Sequence, residues 1–212
     1  MWQDPEGNGP IPEQEPERQE DCYSGEWTNW QMAAIPIKSL GRELVDNMAD
    51  MAHFGPIHYS KVKSFRNTME GHKFVQYMVG GHQILTEGDG ALITSVATYE
   101  GPAYMTTTMT GLMDGHPMTT HLLVSHIPVD MENFIINFGV MMKKDPAISE
   151  AGNKAMVEEY TEKNIESFHQ DVAIWNNKCI IDNPLMCDGD GPVHLVRKWY
   201  SQFMTDVADI QD

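Results

Sequence analysis

Two histidines, His53 and His58, stand five residues apart on either side of the dipeptide Gly55-Pro56. On an uninterrupted helix their side chains would point about 140° away from each other and could not share an ion. Gly55 permits a sharp turn, and Pro56 disfavours helical geometry at the residue before it, so the spacing predicts a helix that ends near His53. The chain then folds back and turns His58 toward the same point. Two imidazoles and one carboxylate on one face make the facial triad that holds Fe(II) and leaves positions open for O2 and substrate. Asp171 is the best third donor, because Phe168, Val172 and Trp175 beside it read as core-facing. A carboxylate in such company is costly unless it is paired or metal-bound. The competing reading is two ordinary helix-end histidines and a solvated aspartate, and spacing alone leaves both open.

The elements that must position these residues are legible in outline. Residues 3–21 are rich in Pro, Glu and Gly and read as a surface segment, followed by an aromatic and apolar strand over 26–37. A helix is expected over 39–53, capped by Ser39, with Leu44, Val45, Met48 and Met51 at helical spacing. Strands are expected at 72–80, 91–100, 103–110, 118–128 and 133–142, all rich in Thr, Val, Ile and Tyr. The turn signals between them include Glu87-Gly88-Asp89-Gly90, Gly101-Pro102 and Asp114-Gly115. Alternation is too weak to assign register. The longest helical stretch is 149–178, with Ser149 as N-cap and an apolar stripe of Met156, Val157, Tyr160, Ile165, Phe168, Val172 and Trp175. A short helix follows over 193–206. Strands first and a long helix afterwards predict an α+β fold with helix packed on sheet.

Composition sets the outer limits. With 212 residues, 41% of them hydrophobic, the chain can bury a sizeable core. The 31 acidic against 14 basic residues leave a formal charge of −17, a surface that repels phosphate backbones and argues against nucleic-acid binding. No apolar run approaches the roughly 20 residues of a membrane span, and the acidic start has no signal-peptide pattern. The expectation is a cytoplasmic protein. Cys22, Cys179 and Cys187 are odd in number and widely spaced, which suits a reducing compartment.

The residues around the two histidines carry a resemblance. Asn47-x-x-Asp50-x-x-His53-x-x-x-x-His58 resembles the iron-binding signature of the Rieske oxygenase catalytic domain, and Gln170-Asp171-Val172-Ala173-Ile174-Trp175 resembles that family's carboxylate-ligand helix. Further stretches are similar to the oxygenase component of the 3-ketosteroid 9α-hydroxylases. These are Asp4-Pro5-Glu6-Gly7-Asn8, Asp182-Asn183-Pro184-Leu185, Asp188-Gly189-Asp190-Gly191-Pro192-Val193 and Trp199-Tyr200-x-x-Phe203-x-x-Asp206-Val207-Ala208-Asp209. The six stretches span essentially the whole chain in the family's order.

The resemblance implies a helix-grip (START-like) fold, a curved antiparallel sheet closed by a long C-terminal helix over an apolar cavity. It implies mononuclear Fe(II) on His53, His58 and Asp171, with Asp50 bonded to a ligand histidine as electron relay and Asn47 near the iron. Met48, Gln76, Tyr99, Met105, Phe168 and Trp175 match positions that line the substrate cavity, where the polar Gln76 could read a keto oxygen. The other histidines (His72, His82, His116, His121, His126, His169 and His194) are scattered and fit surface or strand positions. His169 points about 160° away from Asp171 on a helix.

The same resemblance implies O2-dependent hydroxylation of a 3-ketosteroid or similar fused-ring substrate. Electrons would come from an NAD(P)H-dependent reductase through a 2Fe–2S cluster held by two cysteines and two histidines. In the family's trimers that cluster belongs to the neighbouring subunit. No CxH or CxxH pair occurs in this sequence. Residues 1–25 are therefore expected to be a linker or remnant leading from an absent cluster domain, and residues 26–212 the iron-binding catalytic domain. A steroid-binding module without an electron supply, or a fragment without oxygenase activity, is the alternative.

Overall fold

The computed structural model describes residues 7–16, 23–86, 91–113, 115–206 and 208. Its centre is one antiparallel sheet of seven strands. In chain order these are β1 (Gln31–Ile37), β2 (Val62–Glu70), β3 (Lys73–Gly80), β4 (Ile93–Glu100), β5 (Tyr104–Met113), β6 (His116–Pro128) and β7 (Phe134–Met142). Strands β2 to β7 lie side by side as a meander, and β1 pairs with β7 to close the order β1-β7-β6-β5-β4-β3-β2. Among the described residues, four α-helices accompany the sheet: α1 (Gly41–Asp46), α2 (Phe54–His58), α3 (Glu150–Trp175) and α4 (Val193–Tyr200).

Register follows from burying one face. In β7, Phe134, Ile136, Phe138 and Val140 are buried, with Met141 and Met142 beside them at the strand end. Leu122 lies opposite Val140 and Val124 opposite Phe138. The same row continues through Thr107, Ala97, Gln76 and Asn67. A slip of one residue would turn this whole set to solvent, so burial specifies the pairing. The five strands expected from 72 to 142 are all present within a few residues. The turn at 87–90 lies outside the described residues, as does Asp114. The edge strand β2 was not expected. Its Lys63, Arg66 and Glu70 give it the charged look that blunts a sheet edge.

Two apolar clusters cover the buried face. One joins β1, β5, β6 and β7 to α3 through residues such as Phe138, Val140, Val157, Tyr160 and Trp175. Helix α3 contacts β1 and β7. The second joins Val45, Met48 and Ala49 to Phe74, Tyr99, Val196 and Trp199, and so ties α1 and α4 to β3 and β4. Met105 packs against both.

The helix expected over 39–53 is much shorter. Leu40, not Ser39, stands at the N-cap, and the helix stops at Asp46. Turns follow because backbone groups find partners outside a helix. Met48 O accepts Asn67 Nδ2 (2.7 Å) and Gln76 Nε2 (3.0 Å), and Met51 N donates to Asp190 O (3.1 Å). The break placed at Gly55-Pro56 is also elsewhere. Both residues lie inside α2, in its first turn, where the missing N–H of proline costs nothing because no intrahelical acceptor awaits it. Tyr59 ends the helix in the left-handed region at φ +49°. Ser149 caps α3, its Oγ accepting from Gly152 N at 3.1 Å. The last helical region is α4 followed by a 3-10 turn at Ser201–Phe203, shorter than the expected 193–206. Among the described residues, no helix is long and apolar enough to cross a membrane.

Candidate metal centre

Helix α2 is only one turn long, with His53 at its N-cap and His58 as its last residue. Their ring centroids lie 5.3 Å apart at 78°. Helix α3 passes beside α2 and brings in Asp171, so that His58 Nε2 stands 3.4 Å from Asp171 Oδ2. One ligand atom from each of His53, His58 and Asp171 lies within 4.8 Å of the other two. Nitrogen and oxygen donors about 2.1 Å from one ion stand at most ~4.2 Å apart, so a modest closure would seat a metal here.

The hydrogen bonds around the rings aim them. His58 Nδ1–H donates to Gln170 Oε1 at 2.8 Å, which leaves Nε2 directed toward Asp171. His53 Nδ1 lies 2.6 Å from the backbone oxygen of Asp50, which leaves its Nε2 as the donor to the ion. This is the usual way a metal-binding histidine is oriented: the far nitrogen is tied and the near one is freed. Asp50 takes part differently from the expectation. Its carbonyl holds the ring, while its carboxylate Oδ1 accepts the backbone N–H of His53 at 3.2 Å and Oδ2 stands 3.8 Å from Nδ1.

Electrostatics separate the two histidines. Burial pulls His53 below its ordinary value, and the charges of Asp171 and Asp50 only partly offset this. Burial acts on His58 in the same direction, but the hydrogen bond and charge of Asp171 outweigh it and leave His58 raised. His53 is thus held toward its neutral form, while His58 is drawn toward a proton shared with Asp171 that a divalent ion would displace.

A cleft of about 470 Å³ opens onto this group. Asn47, Asp50, His53, Asp171 and Trp175 border it, and its far wall comes from the 181–197 segment, including Ile181, Leu185 and Arg197. Of the residues expected to line a substrate cavity, only Trp175 borders this cleft. Met48 and Tyr99 are buried in the second apolar cluster, and Met105 bridges the two. Phe168 packs on Phe138 with ring centroids 5.2 Å apart, and Gln76 is tied to Met48 O.

The sequence places His82 among scattered histidines, but in the fold it is buried against the site. Its ring stacks on His58 with centroids 4.8 Å apart and planes at 26°. Burial, reinforced by His58 and His53, pulls it down to about 3. No motif flags a lone histidine in a short loop. His169 is exposed, as its angle to Asp171 on the helix requires.

The family profile described as "3-Ketosteroid 9alpha-hydroxylase C-terminal domain" matches residues 1–204. An oxygenase component of 3-ketosteroid-9-alpha-monooxygenase from Rhodococcus rhodochrous is 40% identical over 219 residues, covering 100% of this chain and 56% of that protein. Its counterpart from Mycobacterium tuberculosis is 36% identical over 217 residues, with 100% and 56% covered. The chain thus spans little more than half the length of these relatives. Among solved structures, NdmA of Pseudomonas putida CBB5 superposes with a TM-score of 0.58 at 13% identity, over 88% of this chain and 52% of that one. That likeness is one of fold alone. The family profile and these relatives agree with the resemblance carried by the six stretches: the chain belongs to the family of 3-ketosteroid 9α-hydroxylase C-terminal domains.

Proposed function

We propose that this chain is the iron-holding catalytic part of a Rieske-type oxygenase that hydroxylates a 3-ketosteroid or similar fused-ring substrate with O2. The observation that carries the reading is the convergence of His53, His58 and Asp171 in a chain of this family. Fe(II) on these three donors would supply the reductive activation of O2, with positions left open for O2 and substrate. His53 and His58 present Nε2, held by Asp50 O and Gln170. Asp171 supplies the charge that a divalent ion needs.

Asp50 borders the cleft beside His53 and is the residue through which electrons would reach the centre, since its carbonyl touches the ligand ring. Asn47 borders the same cleft. The apolar rim of Ile174, Ile181 and Leu185, the last 96% exposed, suits a fused-ring ligand and sheds water from its approach. On the substrate side the proposal keeps Trp175, which borders the cleft, whereas Met48, Gln76, Tyr99, Met105 and Phe168 do not border it. The proposal also includes the helix-grip arrangement, supported by the packing of α3 on β1 and β7, and the assignment of residues 26–212 as the iron-binding domain. The reading further includes a 2Fe–2S cluster domain, an NAD(P)H-dependent reductase, a homotrimer and a cytoplasmic setting. The free thiols Cys179 and Cys187 suit that setting.

The test is anaerobic purification with added Fe(II). One iron per chain is expected, lost in Asp171→Ala, with steroid turnover once a cluster-bearing partner and reductase are supplied. Metal-free protein under iron saturation would overturn the reading. Iron-loaded protein that binds steroid but forms no product with any donor would reduce it to a binding module.

A further inference from the structure

One hydrogen bond cannot hold a ring. The bond from His58 Nδ1 to Gln170 fixes one atom of the imidazole but leaves the plane free to rock about it. A metal donor must keep its plane as well, because the lone pair of Nε2 lies in it. The rings of His53 and Phe54 meet His58 at 78° and 55° with centroids 5.3 and 5.9 Å away, whereas His82 is stacked on its face, 4.8 Å away and within 26° of parallel.

His82 is itself held on both nitrogens. Its Nδ1 accepts from the backbone N–H groups of Ile84 (3.1 Å) and Leu85 (3.3 Å). Two donors on one nitrogen leave no room for a proton there, so Nε2 carries it and donates to Ser167 Oγ at 3.0 Å. With both nitrogens engaged, His82 is not a fourth metal ligand. The loop that carries it is fastened in turn. Thr86 Oγ1 accepts from His82 N and donates to His82 O, and Gln83 N donates to the carbonyl of His58 at 3.1 Å. A single turn of α3 serves the whole arrangement: Ser167 anchors the plate, Gln170 ties Nδ1, and Asp171 faces Nε2. His53 has the matching pair of restraints, Asp50 O on Nδ1 and the ring of Phe54 against it at 4.2 Å.

We propose that His82 is a positioning residue: an uncharged imidazole plate, anchored to Ser167, that sets the ring plane of His58 and so the direction in which Nε2 meets the metal. This rests on the metal-centre reading above. A satisfied core histidine with no such role would affect folding stability and nothing else.

The experiment measures Fe(II) affinity by chelator competition and the ligand-field absorption of bound Co(II), on wild type, His82→Ala, His82→Phe and Ser167→Ala. Partners of metal-binding histidines typically contribute about 10–100-fold in affinity. His82→Ala is expected to weaken Fe(II) binding within that range and to shift the Co(II) bands. His82→Phe, which restores a flat face, should recover most of the affinity, and Ser167→Ala should shift the bands by loosening the plate. A folded His82→Ala with wild-type affinity and spectrum would overturn the role of His82, even if its melting temperature fell. Should His82→Ala not fold, wild-type affinity and spectrum in Ser167→Ala would overturn it instead. A wild-type chain that takes up neither metal would overturn the metal centre itself, a separate result.

Discussion

His58 Nε2 faces Asp171 Oδ2 at 3.4 Å, although 113 positions separate the two residues in the chain. Burial lowers the affinity of His58 for a proton, and Asp171 more than restores it. In metal-free protein the sign follows directly. A histidine raised in the folded state adds stability that is present below its ordinary value of 6.5 and is lost as pH rises through the raised value. Asp171→Ala removes the main opposing influence and leaves burial set only against the Gln170 hydrogen bond. The His58 titration, followed by NMR on the metal-free protein, should then move down. The same substitution should abolish stoichiometric metal binding. An unmoved titration would show that the pair is not coupled.

Asp46 and Arg197 make a second, structural ion pair. Arg197 Nη2 lies 2.6 Å from Asp46 Oδ2, Nε lies 3.1 Å from the same oxygen, and Nη1 donates to the carbonyls of Ile181 and Asp182. The guanidinium therefore pins the wall of the cleft to the end of α1. Burial pushes the Asp46 carboxyl up, against the pull of Arg197. Removing one partner strands a buried charge, at a cost of ~3–5 kcal/mol. Arg197→Ala should lose roughly that much stability in urea unfolding and open the 181–185 segment to proteolysis. A loss well under 1 kcal/mol would mean that solvent already screens the pair.

Legibility in the sequence followed physical signal. The strands from β3 to β7 were legible because Thr, Val, Ile and Tyr runs end at turn residues. Asp171 was legible because Val172 and Trp175 beside it are buried. Strand β2 was not, since an exposed edge needs no apolar alternation. The end of α1 at Asp46 was not legible either. It depends on Met48 O being taken by Asn67 and Gln76, two residues on strands far along the chain. His82 is the clearest case: its place at the site exists only after the loop over 81–86 folds against α3. Pairing across the sheet needed the three-dimensional register, which weak alternation in β6 could not supply.

Gly191 offers a test of how the site is braced. It sits at φ +82°, and a Cβ there would collide with the carbonyl of Ala49. Next to it, Asp190 O accepts Met51 N at 3.1 Å. The loop thus presses on the turn that carries Asp50 and leads into His53. Gly191→Ala combines a left-handed backbone with a clash, a loss of ~1–3 kcal/mol. The expected result is a lower melting temperature together with weaker Fe(II) binding, because the turn and the His53 ring move as one. Weaker folding with unchanged metal affinity would show that the brace is local to the loop.

His126 predicts how the protein responds to acid. It is buried on β6 near Phe134, with ring centroids 5.8 Å apart, and its ring fills the space beside Gly41. Burial alone pulls it from 6.5 to about 4. In the unfolded chain the imidazole takes a proton below 6.5, while in the folded chain it stays neutral until about 4. Between these values the unfolded state binds more protons, so stability falls as pH falls, by up to ~1.4 kcal/mol per pH unit from this group. Below about 4 both states are protonated and its contribution levels off. His126→Gln cannot take the proton, and should flatten the decline between 6.5 and 4 while leaving the limb above 6.5 unchanged. Parallel urea-unfolding series for wild type and variant would read this difference. Identical slopes in the two proteins would mean that His126 is already protonated in the folded state.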